Sequence, residues 1–389
     1  MNDTAKTTQA TTAEAKPAPK RRRSVSERFA ALPKWGKILL MAGAALFAYL
    51  LPILNIPGIT TTSSDFASVL FSCALYALVA LGLNIVIGYA GLLDLGYIGF
   101  FAVGAYAVGV WGSLHSQLPF LILVPIAIIV TGISGLLLGW PTLRVRGDYL
   151  AIVTLGFGEI IRLVLVNSDW VGAAAGITNV PTPPSVPLFT LPTLDWSTGV
   201  PLVNMDRQVT FLEFGVTDAT PYYWLALTVV IVVLFLDVLL QNSRVGRAWE
   251  ATREDEDAAE LMGVPTFKFK LLAFATGATI GGLSGALFAA KQGFISPDNF
   301  TIIYSVMFVA MVVVGGQGNR WGVVAAAVLL TWLPEQLRFL SDYRYLIFGL
   351  ALMLLAIFRP QGLLPPKRSV RAKRLEEKLE ELEEGPASA

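Results

Sequence analysis

The run Asn242-Ser243-Arg244-Val245-Gly246-Arg247-Ala248-Trp249-Glu250-Ala251-Thr252-Arg253 continues through the acids Glu254 to Asp257, then Ala258-Ala259 and Gly263. It is a polar island between apolar segments that are each long enough to cross a bilayer. Helix-forming residues extend from Arg247 to Met262, and Gly263-Val264-Pro265 ends them. A short charged loop held between two spans meets something outside the bilayer. Arg247 and Glu250 lie on its first half. Small Ala258 and Ala259 admit a close approach, Asp257 and Glu260 offer charges to a basic surface, and Gly263 closes the pattern. Two readings stand: a solvated connector, or a handle through which an external motor pushes on the flanking spans.

Working outward, the rest of the chain agrees with a membrane setting. Of 389 residues, 54% are apolar and 15% charged, where a soluble domain carries about 25% charged residues. The charges cluster, leaving long charge-free segments, as in an all-α polytopic membrane protein. The net charge of +1 argues against nucleic acid as a partner. The single cysteine, Cys73, forms no internal disulfide, and the single histidine, His115, reads as a solvated loop side chain rather than part of a metal site.

A hydrocarbon core of about 30 Å needs roughly 20 apolar residues in a helix. On that basis about ten transmembrane helices are expected, near 37–54, 66–87, 96–114, 120–140, 150–166, 222–240, 271–290, 302–316, 322–340 and 344–358. The third is glycine-rich. The eighth and ninth are short and joined by Gly315-Gly316-Gln317-Gly318-Asn319-Arg320. Interrupted spans are tolerated where protein covers the backbone.

Lys and Arg set the direction. Nine lie in the first 37 residues, six lie between Arg359 and Arg374, and others follow the fourth and sixth spans, whereas 167–221 has only Arg207. Ten spans put every basic loop on one side and both termini in the cytoplasm. The expected organisation is a disordered basic tail over 1–36, a transmembrane domain over 37–366 and a charged tail over 367–389. Within the middle part, 167–221 is an extracytoplasmic loop and 241–270 a cytoplasmic one. The outer segment reads either as a cover or as a docking surface.

No Gly is followed five residues later by Gly-Lys-Ser/Thr, so no Walker phosphate loop is present, and no nucleophile or metal pattern is visible. No cofactor is expected in this chain, and nucleotide-driven work would need another one. Gly277, Gly281 and Gly285 recur every four residues and read as a close-packing helix face, as do Gly135 and Gly139. Asp94 stands in a glycine-rich stretch between two spans. It reads as a cap on the third span or as a charge on a solute pathway. Glu159 and Arg162 share a helix face and read as an ion pair or as pathway residues.

Several of these runs are similar to the permeases of branched-chain amino-acid ABC importers, LivM type. They are Asn84 to Tyr97 continuing to Gly104-Ala105-Tyr106, Arg146 to Gly156, Gly176-Ile177-Thr178-Asn179, Ser243 to Ala248, and Gly315 to Gly318. The likeness covers roughly 66 to 366. It implies an ABC-importer permease bundle in the cytoplasmic membrane. The implied partners are a second homologous permease, two ATP-binding cassette subunits and an extracytoplasmic solute-binding protein. It also implies that Arg247 to Gly263 carry the coupling helix. Where the family pattern often opens with Glu, this chain has Asp257, which keeps the acid and shortens its reach. The implied function is ATP-driven import of leucine, isoleucine and valine. Urea or another small solute, an ion-gradient transporter, and a structural subunit that passes nothing are the rivals.

Overall fold

The computed structural model describes residues 34–54, 65–144, 148–186, 190–195, 202–210, 212–215 and 218–336, with isolated positions between 343 and 364. The N-terminal tail to residue 33, most of the tenth expected span and the tail 367–389 lie outside the described residues. The chain divides into two compact units, Met1–Leu50 and Leu51–Ala389. In the first, helix α1 begins at Lys34; it runs to Leu54, and its apolar stretch is Ala42–Leu54.

The larger unit is built of helices. α2 (Phe66–Leu83) opens on Asp65, whose carboxylate accepts from the Ser68 N–H at 3.3 Å, and continues as a π-turn over Asn84–Tyr89. α3 (Tyr97–Gly109) ends in a second π-turn, Val110–Leu114. α4 (Phe120–Thr142), α5 (Asp148–Asn167) and α6 (Thr220–Asn242) follow. Two short helices, α7 (Arg244–Glu254) and α8 (Glu256–Leu261), precede the long α9 (Thr266–Gln292). α10 (Ile302–Gly315) and α11 (Arg320–Gln336) come last.

Among the described residues, 7 helices are long and apolar enough to cross a membrane: Phe66–Tyr89, Tyr97–Leu114, Phe120–Thr142, Tyr149–Asn167, Thr220–Asn242, Thr266–Gln292 and Pro297–Gly315. The glycine-rich third expected span is one of them. The ninth, α11, is 17 residues long. The expected all-helical chain also contains two small sheets. Ile177–Thr178 (β1) pairs antiparallel with Phe294–Ile295 (β4), and Thr190–Asp195 (β2) pairs antiparallel with Leu202–Thr210 (β3). The β2–β3 register shifts between Pro192 and Thr193, where proline has no N–H to give. The proline-rich segment 167–221 therefore holds a hairpin that its sequence does not announce.

α9 packs against α2, α3 and α4, and α2 packs in turn against α6, α10 and α11. Small residues make this possible. A Cβ at Gly277 would stand 2.5 Å from Val86 Cγ2, and one at Gly285 would stand 2.0 Å from the Phe101 carbonyl oxygen. Gly104 and Gly282 bring the backbones of α3 and α9 together, since a Cβ on Gly104 would lie 2.2 Å from the Gly282 oxygen. The glycine face read from the sequence is a packing face. Tyr97, fully buried, adds a hydrogen bond to the Gly277 carbonyl oxygen at 2.7 Å.

Candidate functional site

The loop between α6 and α9 is two helices rather than the single one expected over 247–262. Ser243 caps α7, its hydroxyl accepting from the N–H groups of Val245 at 3.1 Å and Gly246 at 3.3 Å. Asp255 is extended (φ −155, ψ 111) and its carboxylate accepts from the Ala258 N–H at 2.9 Å. That side chain supplies an N-cap in the middle of a helix-forming run, so the run breaks there. Gly263, at φ +86, turns the chain after α8 in a conformation that side chains resist.

The elbow is fastened to the bundle at several points. Trp249 is fully buried, and its indole N–H donates to the Phe269 carbonyl oxygen at 2.6 Å. Glu256 pairs with Lys270 at 2.5 Å, and the Thr266 hydroxyl donates to Glu260 at 2.5 Å. These contacts tie α7 and α8 to the start of α9. Arg253 reaches further. It donates to the Gly88 carbonyl oxygen and, at 3.4 Å, to Gln317 Oε1. The π-turn explains the first contact. Its i+5 bonds, such as Ala90 N–H to Ile85 oxygen, leave the ladder irregular, and Arg253 meets a carbonyl at its end. Burial lowers the Arg253 pKa, with Glu254 opposing, but a guanidinium starts high enough to stay charged.

Beneath the elbow a polar cluster knits three helices. Asp237 of α6, buried, accepts from the Tyr89 hydroxyl at 2.9 Å and lies 3.2 Å from the Arg320 guanidinium. Arg320 also donates to Gln241. The Gly318 N–H donates to Asn84 Oδ1 at 2.9 Å. The connection from α10 to α11, Gly316–Asn319, is thereby tied to the same π-turn that Arg253 holds.

The outward face of the elbow carries Arg247, Glu250, Asp257, Ala258 and Gly263, all exposed. Ala259 does not join them. It is 5% exposed and packs inward, its carbonyl oxygen taking the Val264 N–H at 3.0 Å. Helical periodicity puts adjacent alanines on different faces. Leu261 at 89% and Met262 at 86% exposure form an apolar tip beside the acids. Sequence reading passed over both, together with Arg253 and Trp249. The usable signal was two large apolar residues placed directly before a helix-ending glycine.

The remaining candidates fall elsewhere. Asp94 is fully buried, and its Oδ1 accepts from the Gly96 N–H at 2.9 Å. The cap position of α3 is Gly96, so Asp94 shapes the turn ahead of the helix instead of capping it. Burial pushes its carboxyl up to about 7, opposed by hydrogen bonding to Gly96 and Thr154. Glu159 and Arg162 form an ion pair at 2.6 Å on the partly exposed face of α5. His115 is exposed, stacks on Trp170 at 4.8 Å, and its Nε2 lies 2.9 Å from the Trp170 carbonyl oxygen.

Residues 66–357 match the family described as branched-chain amino acid transport system, permease component. The chain is 42% identical over 298 residues to the high-affinity branched-chain amino acid transport system permease protein LivM of Salmonella typhimurium, across 76% of this chain and 68% of that protein. The same figures hold for LivM of Escherichia coli. It is 25% identical over 342 residues to the probable branched-chain amino acid transport permease protein LivM of Methanocaldococcus jannaschii, across 75% of this chain and 91% of that protein. No solved structure matches the chain.

Proposed function

We propose, from the premise that this chain belongs to the family of branched-chain amino acid transport permease components, that it forms half of the path of an ATP-driven importer of leucine, isoleucine and valine. The chain is a multi-pass protein of the inner membrane and a transport-system subunit. Its partners in this reading are a second, homologous permease, two ATP-hydrolysing subunits on the inner side and a solute-binding protein outside.

The observation that carries the proposal is the fastened elbow. Exposed Leu261 and Met262, flanked by Asp257 and Ala258, offer a small apolar tip with acids beside it, suited to a groove on a partner. Displacement of that tip cannot be absorbed by a slack loop. Trp249, Glu256 and Glu260 carry it into α9, while Arg253 carries it into α2 and the α10–α11 connection. A push on one side of the membrane thus moves the helices at the centre of the bundle. Two packed arrangements of those helices suffice for alternating access, because packed cores switch between states rather than deform continuously.

The test is uptake of radiolabelled leucine by the complete assembly in proteoliposomes, with and without ATP. ATP-dependent accumulation, competed by isoleucine and valine but not by urea, supports the reading. Accumulation by this chain alone on an ion gradient, without nucleotide, overturns it.

A further inference from the structure

At the far end of α9 from the elbow lies a half-open cavity of about 230 Å³, with Lys291 half-buried in it and Asp298 on its exposed rim. Thr266 begins α9 beside the elbow and Lys291 lies near its other end, roughly 37 Å away at 1.5 Å per residue. The cavity holds several times the ~30 Å³ share of one water, yet falls short of the ~300 Å³ where pockets for drug-sized ligands begin. Its dimensions suit a small solute.

The lining is divided in kind. Phe71 of α2, Phe101 of α3 and Phe308 of α10 make an apolar aromatic wall. Against it stand one cation, Lys291, and one anion, Asp298, with the amide of Asn299 beside the latter. The Lys291 ammonium lies 6.0 Å from the Phe71 ring centroid, so the charge is held over the wall. Among the described residues neither Lys291 nor Asp298 is in an ion pair with the other or with a third group. Opposite charges that share a cavity without pairing leave room for a ligand bearing both complements.

We infer that this cavity is a binding site for a free α-amino acid with an aliphatic side chain. Lys291 receives the carboxylate, Asp298 and the Asn299 carbonyl receive the ammonium, and the side chain lies on the wall of Phe71, Phe101 and Phe308. Charge-assisted hydrogen bonds at both ends fix the zwitterion, and the aromatic wall selects an apolar side chain over a polar one. The site rests on the transport reading above and adds a location and a recognition chemistry to it. It lies on this chain, at the end of the bundle opposite the elbow, so a solute is held before the motor's push reaches it.

The experiment uses the complete assembly in lipid nanodiscs, with Cys73→Ser as background and Tyr304→Cys as a reporter on the cavity wall. The rate of thiol labelling is measured with leucine, with 4-methylpentanoate, which lacks the ammonium, and with 3-methylbutylamine, which lacks the carboxylate. Leucine slows labelling and the two analogues do not. Lys291→Met and Asp298→Asn each raise the leucine concentration needed for protection about tenfold, as expected for one charge-assisted hydrogen bond. Uptake by each variant without the reporter shows a matching rise in KM. Unchanged protection and unchanged KM in both variants overturn the site, even where the parent imports leucine. Loss of thermal stability with protection intact makes Lys291 an anchor of the helix end and also overturns it. A parent assembly that imports some other solute and not leucine counts against the transport reading itself.

Discussion

Arg253, on the loop between α6 and α9, donates a hydrogen bond to the carbonyl oxygen of Gly88, inside the π-turn that ends α2. The two residues are 165 positions apart in sequence. The contact makes the loop and the most buried helix of the bundle one mechanical piece.

Arg253→Ala therefore uncouples the two. ATP hydrolysis by the assembly stays near its parent level while leucine uptake falls about tenfold, the effect of losing one charge-assisted hydrogen bond in the moving state. Arg253→Lys keeps the charge but loses the fork that reaches both Gly88 and Gln317, and gives an intermediate ratio. Measuring uptake and hydrolysis on the same proteoliposomes checks this. A fall in both by the same factor makes Arg253 a structural strut and nothing more.

Gly263 has open space around a Cβ, with nothing within 4 Å, but its φ is +86. The cost of a side chain there is conformational. Gly263→Val strains the turn by about 1–2 kcal/mol and re-aims Leu261 and Met262, so uptake falls. Gly263→Asn, which visits the left-handed region more readily, keeps most of it. Uptake in cells, normalised to membrane-inserted protein, separates the two.

Leu261→Asp and Met262→Asp change an exposed tip, so the thermal stability of the purified chain is unchanged while association with the proposed ATP-hydrolysing subunits weakens about tenfold or more. Ala259→Leu has the opposite signature. Ala259 faces inward at 5% exposure, and overpacking there costs about 1–3 kcal/mol of stability. Crosslinking from Leu261→Cys to a partner, paired with a melting curve, reads both effects.

Asp94 makes stability depend on pH. Its carboxyl is pushed up to about 7 by burial, against about 3.9 in the unfolded chain. The fold prefers the protonated acid. The associated stability is complete below about pH 4 and is lost as the pH rises through about 7. Asp94→Asn removes that dependence. The melting temperature of the variant relative to the parent rises between about pH 5 and about pH 8; a constant difference across that window contradicts the assignment.

Gly104→Val places a Cβ 2.2 Å from the Gly282 carbonyl oxygen, where only backbone movement can relieve the clash. α3 and α9 separate, and the chain loses about 1–3 kcal/mol or fails to accumulate in the membrane. Gly156→Ala, with nothing within 4 Å of its Cβ, is the control and accumulates normally.

The amino-acid sequence by itself determined the class of the molecule, its apolar helices, the glycine face of α9 and the position of the polar loop. Each is carried by spacing along one helix or by composition within one window, and the hydrophobic effect acts on those directly. The tertiary structure alone decided the rest. Asn84 and Gly318 meet across 234 residues, Asp237 finds Arg320, and Arg253 finds a π-turn that no local pattern marks. The division of the loop at Asp255 depended on which of four successive acids took the cap. The cavity joining Phe71, Lys291 and Asp298 exists because α2, α9 and the turn after it converge at one end of the bundle. Such pairings depend on how helices pack, and periodicity within a helix tells which face is apolar but not which neighbour it will meet.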